Sequence, residues 1–150
     1  MVTIKFAKIN ESAKIPTKRD EDAGLDIFPC ITDTFTIMPN ETRLVSTGLI
    51  SAFDPEWVML LKERSGYGSK GVGVRAGVID SGYRGEIKVC LTNHTNDTIV
   101  LDPKKAVAQA IFVRVPQYDI EEWEYEDVKS IPSKRQECGF GSTDWMAKLP

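Results

Sequence analysis

Glu86-Ile87-Lys88-Val89-Cys90-Leu91 alternates, with Ile87, Val89 and Leu91 in one set and Glu86, Lys88 and Cys90 in the other. A period of two belongs to an extended chain whose successive side chains leave opposite faces, so the stretch predicts a half-buried strand. Val2, Ile4 and Phe6 repeat the pattern around Thr3 and Lys5. Trp57-Val58-Met59-Leu60-Leu61, Thr98-Ile99-Val100-Leu101 and Ala110-Ile111-Phe112-Val113 are short apolar runs suited to buried strands. Pro39-Asn40, Asp54-Pro55, Ser81-Gly82, Asn96-Asp97 and Asp102-Pro103 separate these segments with residues that pre-set or tolerate turn geometry. The segment from Ala106 to Ala110 could begin a helix, but the proline before it and the β-branched residues after it favour a strand. Strand after strand at this spacing predicts an all-β sandwich or barrel.

The 150 residues are 41% apolar and 27% charged, which suits one domain with a closed core. No run approaches 18 consecutive apolar residues, so no membrane span is expected. Met1-Val2-Thr3-Ile4-Lys5-Phe6 lacks the long apolar run of a secretory signal, and a cytoplasmic protein is expected. Nineteen Lys and Arg against 22 Asp and Glu leave a net charge of -3, the wrong sign for gripping a nucleic-acid polymer. An anionic ligand must then be held by a few local cations. Cys30, Cys90 and Cys138 are odd in number and lack a C-x-x-C pair, which reads as inert thiols in a reducing compartment. The single histidine, His94, cannot build a His-rich zinc site. It falls in Thr92-Asn93-His94-Thr95-Asn96, a polar surface turn.

Residues 1–116 are read as the β core and 117–150 as a C-terminal arm. Asp119, Glu121, Glu122, Glu124, Glu126 and Asp127 around Trp123 and Tyr125 read as a solvated connector. The tail beyond cannot build a core and should be a mobile arm that orders against something else.

Two phosphate motifs fail. Gly66 to Gly71 has the outer spacing of a P-loop, but Val72 stands where the lysine belongs. Gly71-Val72-Gly73-Val74-Arg75-Ala76 matches a relaxed dinucleotide fingerprint without the helix that must follow.

Three glycine-flanked polar clusters remain. Arg64-Ser65-Gly66 follows an apolar strand and reads either as a phosphate cradle or as a plain hairpin with a solvated arginine. In Gly77-Val78-Ile79-Asp80-Ser81-Gly82-Tyr83-Arg84-Gly85, Val78 and Ile79 are expected in the core, delivering Asp80 to its rim. There the carboxylate either activates a water or merely caps the Ser81-Gly82 turn. Arg135 with Gly139-Phe140-Gly141-Ser142-Thr143 joins a guanidinium, hydroxyls and an aromatic between glycines, a lid for phosphate plus a flat ring.

These clusters, in this order, resemble the five motifs of the trimeric deoxyuridine triphosphate nucleotidohydrolases (dUTPases). Ala23-Gly24-Leu25-Asp26-Ile27 resembles the first, Arg64-Ser65-Gly66 the second and Gly77 through Gly85 the third. Ala106-Val107-Ala108-Gln109 resembles the fourth, and the Gly139–Thr143 cluster with Arg135 the fifth. The resemblance implies a jelly-roll β-barrel with a flexible arm, assembled as a homotrimer whose active sites are shared between subunits. It implies that Asp80 activates the water that attacks the α-phosphorus of dUTP, giving dUMP and pyrophosphate. Tyr83 would pack under the deoxyribose. Gly77, Val78, Ile79 and the backbone around Lys88 would line the uracil pocket. Arg64, Ser65, Gly66 and Gln109 would hold the α- and β-phosphates. Arg135, Ser142 and Thr143 would hold the γ-phosphate, with Phe140 and Gly141 over uracil. Mg2+ would sit on the triphosphate oxygens, with Asp26 reaching it through water.

Glu63, Lys104-Lys105, Gln136-Glu137-Cys138 and Asp144 depart from the family's usual residues without removing a group of assigned role. The related dCTP deaminases carry a catalytic glutamate ten residues after the motif aspartate. Cys90 occupies that position here and disfavours the deamination reading. A regulatory role through a protein partner on the same scaffold is the other alternative.

Overall fold

The computed structural model describes residues 3–136. In chain order these form β1 (Lys5–Lys8), β2 (Leu25–Ile27), β3 (Phe35–Ile37), β4 (Thr42–Ser46), β5 (Leu49–Ala52) and β6 (Trp57–Lys62). There follow α1 (Ser65–Gly68), β7 (Val72–Arg75), β8 (Val78–Ile79), β9 (Lys88–Asn93), β10 (Ile99–Leu101), β11 (Ala108–Arg114) and α2 (Tyr125–Lys129). The strands form antiparallel sheets in the orders β2-β11-β6-β8, β4-β9-β7, β1-β5 and β3-β10. This is the all-β architecture expected.

The alternating stretch becomes β9 and its approach. Ile87, Val89 and Leu91 are buried, while Lys88 is exposed. They pack with Ile27, Ile37, Val45, Leu49, Met59 and Val107, all essentially without solvent contact. Burying each such side chain contributes about 1.5–3 kcal/mol. Phe53 and Phe112 meet edge to face at 5.2 Å. Ala108–Ala110 opens β11 as expected, whereas Ala106 and Val107 precede the strand, with Val107 N–H donating to the Ile27 carbonyl at 2.9 Å.

The apolar runs prove one-sided. Met59 and Leu61 are buried, but Val100 and Val113 face outward on the single chain. The expectation for Val78 is corrected in the same way. Ile79, opposite Met59, reaches the core, whereas Val78, opposite Leu60, is 64% exposed. Neighbours on a strand point to opposite faces, so only one of the two can point inward.

Asn93 is a core residue that the polar-turn reading passed over. Its Nδ2 donates to the carbonyls of Ile37 (3.0 Å) and Asp97 (2.8 Å). Its Oδ1 accepts from the N–H and Oγ1 of Thr95 at 2.9 and 2.8 Å. The amide thus stitches β9 to β3 and to the turn before β10, while His94 beside it is exposed as expected. Asn93→Ala strands the two carbonyls and should cost about 1–3 kcal/mol. The corresponding fall in Tm is roughly 2–4 °C per kcal/mol. A thermal melt checks it, and an unchanged Tm would show that water replaces the amide.

The chain divides into two units, Met1–Gln117, which carries all the named strands, and Tyr118–Pro150. Part of the acidic run forms α2, with Glu126 and Asp127 in the first turn and Lys129 in the last, the arrangement a helix dipole favours. Every residue of α2 is exposed. No helix among the described residues is long and apolar enough to cross a membrane.

Candidate active site

β11 lies between β2 and β6, and its register sets Gln109 opposite Asp26 on one side and Lys62 on the other. The chain leaving β6 therefore brings Arg64 and Ser65 beside the same pair. Arg64 Nε lies 3.1 Å from Asp26 Oδ1, and its Nη1 donates to the Ala106 carbonyl at 3.3 Å. Gln109 Nε2 donates to the Glu63 carbonyl at 3.0 Å. Gly24 lies so close that a Cβ there would run into the Gln109 side chain. Three distant stretches of sequence thus converge through one strand register.

These residues line an open depression of about 810 Å³ that also takes in Lys18, Arg19 and Asp22. The Arg19 fork grips both Asp22 oxygens, at 2.9 and 3.1 Å, and this hydrogen bonding holds the Asp22 carboxyl below its ordinary range. Burial pushes the Tyr67 phenol in α1 upward, while the Arg64 charge opposes the shift. A Cβ on Gly66 would meet only open space among the described residues. A guanidinium fork, an amide and a hydroxyl around a wet hollow suit phosphate oxygens.

The second cluster is built on β8. The Gly77 carbonyl accepts Leu61 N–H at 2.7 Å, and a Cβ on Gly77 would strike the Leu61 carbonyl. Only glycine allows that approach. It presses β8 against β6 and carries the chain out of the core at exposed Asp80. Tyr83 N–H donates to the Asp80 carbonyl at 3.1 Å, closing the turn. The Tyr83 hydroxyl donates to the Glu86 carbonyl at 3.1 Å, with its ring against Gly85. Arg84 Nη1 donates to the carbonyls of Ser81 and Tyr83 and so braces the turn.

Val78, Ile79, Asp80, Tyr83 and Lys88 border a smaller hollow of about 270 Å³, together with Leu44, Ala76 and Glu86. Val78, displaced from the core, is thus on the wall of this site. The last three residues escaped sequence reasoning. Leu44 reaches the site only through the pairing of β4 with β9, and Ala76 adopts a left-handed φ of 49° that its identity does not signal. The two hollows share no lining residue.

Arg135 lies in the second unit, where its N–H donates to Ser133 Oγ at 3.2 Å. Phe140, Gly141, Ser142, Thr143 and Cys138 lie outside the described residues. Cys30 and Cys90 are free, half-buried thiols. No group of three or more His, Cys, Asp or Glu gathers as a metal cage among the described residues.

Residues 10–144 match the family model described as dUTPase. The chain belongs to the dUTPase family. Its relatives include a deoxyuridine 5'-triphosphate nucleotidohydrolase of Nautilia profundicola, 38% identical over 144 residues, covering 93% of this chain and 97% of the relative. One from Neisseria meningitidis serogroup A is 38% identical over 125 residues, 81% of each chain. The fold is that of the Staphylococcus bacteriophage 80alpha dUTPase solved with dUPNHPP, at a TM-score of 0.81 and 23% identity, covering 94% of this chain and 98% of that one. This likeness agrees with the jelly-roll β-barrel expected from the motifs.

Proposed function

We propose that the chain hydrolyses dUTP to dUMP and pyrophosphate, with each active site completed by a neighbouring subunit of a homotrimer. One observation carries the shared site. The polar cradle of Asp26, Arg64, Ser65 and Gln109 and the hollow that holds Asp80 and Tyr83 are separate on a single chain. A triphosphate and its nucleoside need both, and in the trimer the cradle of one copy would serve the hollow of another.

In this reading Asp80 orients and deprotonates the attacking water, and Tyr83 packs under the deoxyribose where a 2′-hydroxyl would have to fit. Uracil enters beside Gly77, Val78, Ile79 and the backbone at Lys88. Its edge is read by main-chain hydrogen bonds, and cytosine would leave a buried donor or acceptor unpaired. Arg64, Ser65, Gly66 and Gln109 hold the α- and β-phosphates and stabilise charge gathering on the departing diphosphate. Arg135, Phe140, Gly141, Ser142 and Thr143 close over the γ-phosphate and the base.

The donor set fits Mg2+. This ion keeps several waters and binds through substrate phosphates plus one or two carboxylates. Asp26 offers a carboxylate on the phosphate side, with Oδ1 already engaged by Arg64. When bound, the ion would neutralise phosphate charge.

Pyrophosphate release from dUTP, compared with dTTP, dCTP and UTP, tests the function. dUTP should be preferred over dTTP and UTP by roughly 10²-fold, the scale on which a pocket rejects one extra methyl or hydroxyl, and over dCTP by more, because its hydrogen bonds are mismatched. Equal rates on all four nucleotides would refute it. Ammonia release from dCTP would instead revive the deaminase reading, for which Cys90 offers no carboxylate.

A further inference from the structure

Glu86 carries no role in the reaction as derived above, yet it joins the turn that bears Asp80 to a tightly packed bend at Gly48. Its Oε1 accepts the Gly48 N–H at 2.9 Å, and its Oε2 lies 3.6 Å from Lys88 Nζ. Gly48 sits at a φ of 68°, packed against Ala13, Cys30 and Asn10, where any added side chain would collide. The next residue is clamped on both sides. Ile87 N–H donates to the Leu49 carbonyl at 2.8 Å, and the Ile87 carbonyl accepts the buried Thr47 hydroxyl at 2.6 Å. Glu86 therefore cannot drift relative to the core. From the other side, the Tyr83 hydroxyl hangs on the Glu86 main-chain carbonyl at 3.1 Å.

We propose that Glu86 is a positioning residue for sugar discrimination. Its carboxylate, anchored on Gly48, acts with the Ile87 N–H held by Leu49 to fix the peptide whose carbonyl sets the height of the Tyr83 ring. The inference rests on the dUTPase reading and deepens it. A ring held by a single phenolic hydrogen bond is only as well placed as its acceptor, and misplacing a positioned group by about 1 Å can cost 10²-fold. The carboxylate also pairs with Lys88, so one side chain holds the sugar platform and the first residue of the base-reading strand together.

The test measures kcat/KM for dUTP and for UTP on wild type, Glu86→Ala, Glu86→Gln, Tyr83→Phe and the Glu86→Ala/Tyr83→Phe double variant. Glu86→Ala should lower the dUTP-to-UTP ratio by roughly tenfold. Glu86→Gln, whose amide oxygen still accepts the Gly48 N–H, should restore the ratio to within about twofold of wild type. Tyr83→Phe should fall in the same direction, and the double variant should lose no more than the worse single one, because both break one connection. Global destabilisation alone would lower the active fraction for both nucleotides and leave their ratio intact. An unchanged ratio in Glu86→Ala or Tyr83→Phe, or strictly additive losses, overturns the proposal. If Glu86→Ala does not fold, Glu86→Asp, whose shorter carboxylate loses its reach to the Gly48 N–H, is held to the same criteria in its place. A wild-type protein inactive on dUTP overturns the dUTPase reading and this inference with it, whereas an active wild type with unmoved ratios overturns the inference alone.

Discussion

Asp80→Asn lowers kcat for dUTP by roughly 10²–10⁴-fold and leaves nucleotide affinity close to that of wild type. The amide matches the carboxylate in shape but cannot take a proton from water. Asp80 is exposed at the rim of the core, directly after Ile79, whose pairing with Met59 holds the strand in place. Its side chain is exposed among the described residues, so the substitution should leave the fold intact. The Asp80 carbonyl, not its carboxylate, accepts Tyr83 N–H, so the turn persists in the variant. A loss confined to kcat marks a group that acts in the transition state. Stopped-turnover binding with a non-hydrolysable dUTP analogue separates the two quantities. Turnover near the wild-type rate would remove Asp80 as the base.

Arg64→Ala should cost roughly 10²–10³-fold in kcat, the scale of removing one donor from a site where charge develops. The loss has two sources. On the proposed reading the guanidinium no longer serves the phosphates, and Asp26, its partner at 3.1 Å, is left uncompensated in a hollow proposed for an anion. Both side chains of that pair are 41% exposed, so stability should fall by no more than about 1 kcal/mol. Activity and Tm therefore separate cleanly. Arg64→Lys should recover only part of the rate, because an ammonium lacks the planar fork that also reaches the Ala106 carbonyl. Full recovery by lysine would mean that Arg64 contributes charge alone. A large Tm loss in Arg64→Ala would recast the residue as structural.

Much of this protein was legible in its residues. The period-two pattern at Ile87, Val89 and Leu91 and the regular turn residues predicted strands, and the strands are there. The order of short motifs from Ala23 to Thr143 led to the dUTPase family, to which the chain belongs. Motif reasoning also singled out Asp26, Arg64 and Gln109 without knowing that they touch. What it misjudged was facing. Val78 was expected in the core because an apolar residue next to another apolar residue looks buried. Nothing local says which of the two points inward.

Local residue patterns set where the chain is extended, where it turns and which short stretches carry chemistry. These depend on backbone preference and on side chains a few residues apart. Only the tertiary structure decided that β11 sets Gln109 against Asp26, that Asn93 is buried, and that Glu86 is moored on Gly48 38 residues away. Each of those facts follows from which strands pair and in what register. Register is chosen by burying one face of every strand at once, a condition on the whole chain that no single segment carries.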